Sequence, residues 1–263
     1  MPAATRRAFS VASGAVACPQ RTVIYGAGGI GKTELAANIQ LIGKRPLFID
    51  IGTGSAHLNV SRISDAIDDW DALRGVLQAH DLFAGFNVVV LDDLTKAEEL
   101  ATTWTLGNVP RETRSGGKET VTSIEGYGWG KGYMHVYETF LRLLGDLDAH
   151  IRAGREVICI AHDCTTNTPN PMGDDFLRFE PRLQSPKNGA GSIRNRVKEW
   201  ADHLFFVGYD LHVNTAGKAM GSGSRTIYPT EMPTHLAKSR KLGAPIPYGK
   251  GSALLWQQLY GAK

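Results

Sequence analysis

The sequence predicts an α/β fold: a mostly parallel central sheet flanked by helices, with a C-terminal β-hairpin extension. Three observations predict it. Apolar runs of strand length alternate with segments of helical period. The string GAGGIGKT at 26–33 stands between the first such run and the first such helix, and NVVVLDD at 87–93 ends a later run in two carboxylates.

Residues 1–19 read as a loose N-terminal arm, because MPAATRRAF carries two arginines but no apolar core of signal-peptide length follows. Residues 20–263 read as one domain, long enough for a large α/β core. The expected strands are 22–25, 46–51, 88–91, 157–161 and 204–207, and the expected helices are 32–41, 66–79, 95–103, 133–151 and 193–202. In the fourth helix Val136, Phe140, Leu143, Leu144 and Leu147 recur at three- and four-residue steps, which makes one face apolar. Two irregular stretches, 107–132 and 163–191, exceed the ~12–15 residues usual for a structureless connection. Both follow C-terminal ends of expected parallel strands, one across a short helix, so both belong on the side of the glycine-rich loop. Glycine and serine interrupt 213–224 before the run 225–228, which reads as a hairpin with an ill-defined loop.

Bulk composition excludes some classes. Hydrophobic content is 42% and charged content 21%, and no apolar run reaches the ~18 residues of a membrane span. The three cysteines, Cys18, Cys159 and Cys164, form no C-x-x-C, and Cys159 sits inside an apolar run, so a reducing cytoplasm is expected. The net charge of +3 is small, but between 192 and 251 nine basic residues face four acids. An acidic polymer as partner is permitted, not required.

GAGGIGKT satisfies the phosphate-loop pattern G-x-x-x-x-G-K-[ST]. Gly26, Ala27, Gly28, Gly29, Ile30 and Gly31 would curl backbone N–H groups around a polyphosphate, ahead of a helix N-terminus carrying Lys32, Thr33 and Glu34. Lys32 would reach the β- and γ-phosphates and Thr33 would ligate Mg²⁺, which makes ATP and Mg²⁺ the expected cofactors. A rival pattern overlaps: Gly26, Gly28 and Gly31 spell G-x-G-x-x-G, and Asp50 ends the next apolar run where a dinucleotide fold keeps its ribose-binding acid. A dinucleotide site has no need of the Lys-Thr pair. In NVVVLDD, Asp92 would hold Mg²⁺ through water and Asp93 would polarise an attacking water. Acids also end strands as mere boundaries, but the dinucleotide reading gives Asp92 no role.

With these motifs in this order, the chain resembles RecA-type ATPases, most closely the small ATP-binding phage proteins of single-strand annealing and recombination. The resemblance spans about residues 20–257 and rests on FIDIGTGSAHL, VVVLDDLT, GYGWGKGY, ICIAH, EWADHLFFV and HLAKSRKLGAPIP. It implies that His162, ending ICIAH, is a polar sensor of the γ-phosphate, although a histidine there also serves as a plain strand cap. It implies that Lys238 and Arg240 reach a neighbouring subunit's γ-phosphate, hence a ring or filament, although two exposed basic residues need no such role. It places DNA-binding loops at the two irregular stretches, where Lys131, Arg178 and Arg182 are the candidate contacts, supported by Arg111, Arg114 and Lys118 and by Tyr127, Trp129, Phe176 and Phe179 for base stacking. Subunit contacts would serve equally for those loops, and the second is slightly acidic.

One departure counts. Proteins of this kind carry a glutamate two residues after the acid of the second strand, and here Asp50 is followed by Ile51 and Gly52. Either Asp93 orients the water or hydrolysis is slow. The expected function is an ATP hydrolase acting on single-stranded DNA in phage recombination or annealing, in the host cytoplasm. A nucleotide-gated scaffold that recruits a single-strand binding or replication protein, and a dinucleotide-dependent oxidoreductase, stand as alternatives.

Overall fold

The computed structural model describes residues 11, 13, 14, 16–113, 115–187, 190–213, 215 and 219–261. Arg114, Lys218 and most of the arm lie outside them. Among the described residues twelve strands run in chain order: β1 (Arg21–Gly26), β2 (Pro46–Asp50), β3 (Ser61–Arg62), β4 (Val88–Asp92), β5 (Arg111–Glu112), β6 (Lys118–Glu119), β7 (Glu156–Thr168), β8 (Phe176–Pro181), β9 (His203–Val213), β10 (Ala219–Tyr228), β11 (Lys238–Ser239) and β12 (Ile246–Pro247). The helices are α1 (Lys32–Ala37), α2 (Trp70–Gln78), α3 (Leu94–Asn108), α4 (Lys131–Arg152), α5 (Ile193–Trp200) and α6 (Leu254–Tyr260). The large sheet has the order β12-β10-β9-β1-β7-β4-β2-β3. From β9 to β3 it is parallel, while β10 and β12 extend it antiparallel past β9, β11 also pairs with β9, and β8 folds back on β7.

Period-two alternation sends successive strand residues to opposite faces. On one face Val23, Tyr25, Val89, Leu91, Val157 and Cys159 meet α2, α3, α4 and α5 through Leu73, Leu94, Phe140, Leu144 and Val197. On the other, Ile24, Phe48, Val90, Ile158 and Phe205 meet α1 and α6 through Leu35, Ala36, Leu255 and Trp256. The result is a mostly parallel sheet covered by helices on both faces, as the alternating pattern predicts. Leu143 and Leu147 of α4 are fully buried, in line with its expected apolar stripe.

Three expectations need correction. The helix expected from residue 66 begins only at Trp70, because Asp69 caps it by accepting from the Ala72 N–H at 2.7 Å. The helix after the glycine loop is α-helical only to Ala37 and tightens into a 3₁₀ turn over Asn38–Ile42. The two irregular stretches are not structureless. In the first, β5 and β6 form a small hairpin before a 3₁₀ turn at Glu125–Tyr127. In the second, β7 runs on through the alternating sequence Cys164–Thr168 and turns back as β8, so its polar outward residues hide a strand. No described helix is long and apolar enough to cross a membrane.

Because β1, β2, β4, β7 and β9 are parallel, their C-terminal ends share one edge. The glycine loop leaves β1 there, β7 lies between β1 and β4, and register sets Gly26 beside His162 and Asp50 beside Asp92.

Candidate functional site

The glycine loop joins β1 to α1 through Gly31, whose φ of 99° is left-handed and suits a residue without Cβ. Lys32 follows, only 7% exposed, and its ammonium donates to the carbonyls of Gly26 at 2.8 Å and Ala27 at 2.9 Å. Burial pulls its pKa below the ordinary lysine value, against the opposing charges of Asp163, Asp92 and Asp93. Two side chains far along the chain grip the other end of the loop. Arg225 Nη1 donates to the Ile30 carbonyl at 2.7 Å, and the Tyr248 hydroxyl donates to the Gly31 carbonyl at 2.7 Å. The guanidinium of Arg225 lies 4.3 Å from the Tyr248 ring centroid. A Cβ on Gly31 would come within 2.6 Å of Arg225 Nη1 and 2.9 Å of the Tyr248 hydroxyl, so a side chain there would push both away from the loop. Glu34 accepts from the Gly251 N–H at 2.9 Å.

Opposite the loop, Thr33 Oγ1 donates to Asp92 Oδ2 at 2.7 Å. Burial, with the negative charges of Asp93 and Asp50 beside it, raises the Asp92 carboxyl to about 6, despite the Thr33 hydrogen bond that lowers it. Asp93 caps α3, its Oδ1 accepting from the Lys96 N–H at 2.8 Å, and its Oδ2 faces His162 Nε2 at 3.4 Å. Burial and the charge of Lys32 hold His162 below the ordinary histidine pKa. Gly54 closes the arrangement: a Cβ there would stand 3.3 Å from Asp92 Oδ2 and 3.6 Å from Thr33 Oγ1. The missing Cβ leaves room for a cation beside a hydroxyl and a carboxylate, which is the donor set Mg²⁺ takes. Together these groups line a cavity of about 520 Å³ at the C-terminal edge of the sheet.

Lys32, Thr33, Asp92, Asp93 and His162 are therefore brought together as the sequence reading expects. Asp50, the rival ribose-binding acid, lines the same cavity, but its carboxylate is engaged by Ser55 Oγ at 2.6 Å, the Ser55 N–H at 2.7 Å and the Gly52 N–H at 3.1 Å. Gly52, where the resemblance would place a glutamate, also lines the cavity.

The expected DNA contacts divide. Lys131 opens α4 and is exposed, beside a cleft of about 540 Å³ with Arg111, Lys118 and His135. Arg182 is exposed, its N–H bonded to the His162 carbonyl at 2.8 Å, and it lines a cleft with Thr95, Glu98 and Gln184 rather than the loop cavity. Arg178 is not a free cation: it is paired with Glu231 at 2.8 Å and with Glu180, which also takes Arg194. Two aromatics expected to stack on bases are otherwise engaged. Tyr127 is buried with its hydroxyl on the Val109 carbonyl, and Phe179 stacks on Phe206 at 5.1 Å. Trp129 is 97% exposed. Lys238 and Arg240 lie at the other end of the sheet, where β11 pairs with the start of β9. Lys238 Nζ donates to the carbonyls of Lys198 at 2.9 Å and Glu199 at 3.3 Å, at the C-terminus of α5. Arg240, 68% exposed along its side chain, pairs with Asp202 at 3.0 Å.

Sequence reasoning missed Arg225 and Tyr248. Nothing local marks them: Arg225 meets the loop across 195 positions and Tyr248 across 217.

A family model described as an AAA domain matches residues 18–241 of the chain. Comparison with curated proteins returned no match.

Proposed function

Since this chain belongs to the AAA-domain family of P-loop ATPases, we propose that it binds Mg²⁺-ATP at the loop cavity and hydrolyses it while acting on single-stranded DNA, in recombination or annealing of the phage type. The observation that carries the ATP reading is the convergence of Lys32, the Thr33–Asp92 pair and Asp93 on one cavity. Backbone N–H groups of the loop and the start of α1 would cradle the phosphates, with Lys32 released from its two carbonyls to meet them. Thr33 and Asp92 would hold Mg²⁺, which neutralises phosphate charge when bound. Asp93 has one oxygen committed to capping α3, and the other, facing His162, would accept a hydrogen bond from the attacking water. His162 reports on that oxygen from β7, whose continuation is the β7–β8 hairpin.

The cleft beside Lys131 and Lys118 supports the DNA reading, because these cations can meet phosphates, whereas Arg111 there is paired with Glu119 at 2.7 Å. Lys238 and Arg240, away from the chain's own cavity, would serve a neighbour's site in a ring or filament. Gly52 favours a second reading, a nucleotide-gated scaffold with slow turnover, since it puts no carboxylate where the related proteins keep one. Mg²⁺-ATP hydrolysis measured with and without single-stranded DNA, beside Lys32→Ala, separates them. DNA-stimulated turnover lost in the variant supports the ATPase; tight ATP binding without turnover supports the scaffold.

A further inference from the structure

Arg225 is half-buried on the wall of the loop cavity. Two lysines line the same cavity: Lys32 donates to two loop carbonyls, and Lys96 forms an exposed pair with Glu99 at 2.7 Å. Among the described residues Arg225 has no carboxylate partner; its neighbours are the Ile30 carbonyl and the face of Tyr248. Glu34 lines the same cavity and its charge reaches Tyr248, but with no carboxylate in contact the half-buried guanidinium is incompletely compensated, and an anion in the cavity would complete the compensation. One of its five N–H donors is used on Ile30, and the stack on Tyr248 fixes the plane in which the rest are presented. Gly31, which would collide with it if it carried a Cβ, lets that plane come against the loop backbone.

We propose that Arg225 is a phosphate ligand of the bound nucleotide, supplied by β10 of the same subunit, with Tyr248 as the residue that positions it. The planar fork suits the paired oxygens of a phosphoanhydride. This rests on the ATP reading above and adds to it a second cation from the hairpin β9–β10, so the antiparallel extension of the sheet takes part in nucleotide binding.

The test titrates the full chain with ATP, ADP and adenosine, each with Mg²⁺, in wild type, Arg225→Gln, Arg225→Lys and Lys32→Ala, with thermal melting of the free proteins alongside. Arg225→Gln should weaken ATP and ADP by about ten- to a hundredfold while adenosine binding stays as in wild type, and Arg225→Lys should recover part of the loss. Tripolyphosphate should compete with ATP in wild type and lose potency in Arg225→Gln. Unchanged ATP affinity in folded Arg225→Gln, or an equal loss for adenosine, would overturn the proposal. If Lys32→Ala abolishes ATP binding and Arg225→Gln does not alter it, only the Arg225 role falls. If folded wild type binds no ATP, the underlying reading falls and this proposal with it.

Discussion

The hydroxyl of Thr33 donates to Asp92 across 2.7 Å, tying the first turn of α1 to the end of β4. Two motifs that the chain keeps 59 positions apart thus share one hydrogen bond. If that bond marks the Mg²⁺ position, Thr33→Val and Asp92→Asn should each weaken Mg²⁺ by about ten- to a hundredfold in a metal titration with a fluorescent ATP analogue. Metal affinity at wild-type level in both variants would place Mg²⁺ elsewhere.

The raised pKa of Asp92 gives a pH dependence with a definite sign. Its folded-state pKa, about 6, lies above the ordinary 3.8, so proton binding favours the folded free protein. That stabilisation is complete below the unfolded value and is lost as pH rises through about 6. A metal must displace the same proton. Mg²⁺-dependent ATP affinity should therefore fall as pH drops below about 6, and Asp92→Asn should flatten the profile. A wild-type profile flat from pH 7 to about 5 would remove Asp92 from the metal site.

Asp93 has a structural task as well as its proposed chemical one, and the two can be separated. Asparagine caps a helix about as well as aspartate, so Asp93→Asn should hold stability to within about 0.5 kcal/mol. As a weaker acceptor it should lower turnover by about 10²-fold or more. Full turnover in Asp93→Asn would leave the residue as a cap alone.

Arg178 belongs to a buried ionic cluster, which decides what its removal would mean. Surface pairs contribute about 0–1 kcal/mol, whereas breaking a buried one costs about 3–5 kcal/mol. Glu180 sits under 10% exposed between Arg178 and Arg194. Burial alone would raise its pKa, but the hydrogen bonds from Arg178 and the charge of Arg194 hold it below the ordinary value. Its stabilisation is present above the unfolded carboxyl pKa and lost as pH falls through the folded one. Glu180→Gln should lower the melting temperature strongly at pH 7 and have less effect in acid. Lys131→Ala should leave melting unchanged while weakening DNA binding and reducing the salt slope by about one; a DNA isotherm identical to wild type would count against the Lys131 cleft.

Lys238 holds the C-terminal carbonyls of α5, where a cation is favoured by the helix dipole. Lys238→Met should cost about 0.3–1 kcal/mol in chemical denaturation. A role at a neighbour's site would show separately, as turnover lost in proportion to protein concentration; turnover lost equally at all concentrations would argue for the helix alone.

Much of this arrangement is legible in the sequence because its signals are local. Strand alternation, the glycines of 26–31 and the acids ending β4 each act within a few residues, and the parallel order then gathers them at one edge. What escapes is set by distant contacts. The Thr-rich stretch after His162 reads as a loop because its outward residues are polar, yet pairing with Phe176–Pro181 makes it a strand. Tyr127 looks like a stacking platform until Thr105 and Val109 are seen to hold its hydroxyl inside. Arg178 counts as a basic loop residue until Glu231, 53 positions on, is found beside it.

Gly54 lies on an exposed loop with a backbone any residue could adopt, and by accessibility it would pass as a tolerant position. Its missing side chain is what keeps the space next to Thr33 and Asp92 open. In a saturation-mutagenesis map, position 54 should stand out as a surface site where side chains larger than alanine lower activity while folding is kept, and an engineer seeking to silence the site without unfolding the chain would begin with Gly54→Val.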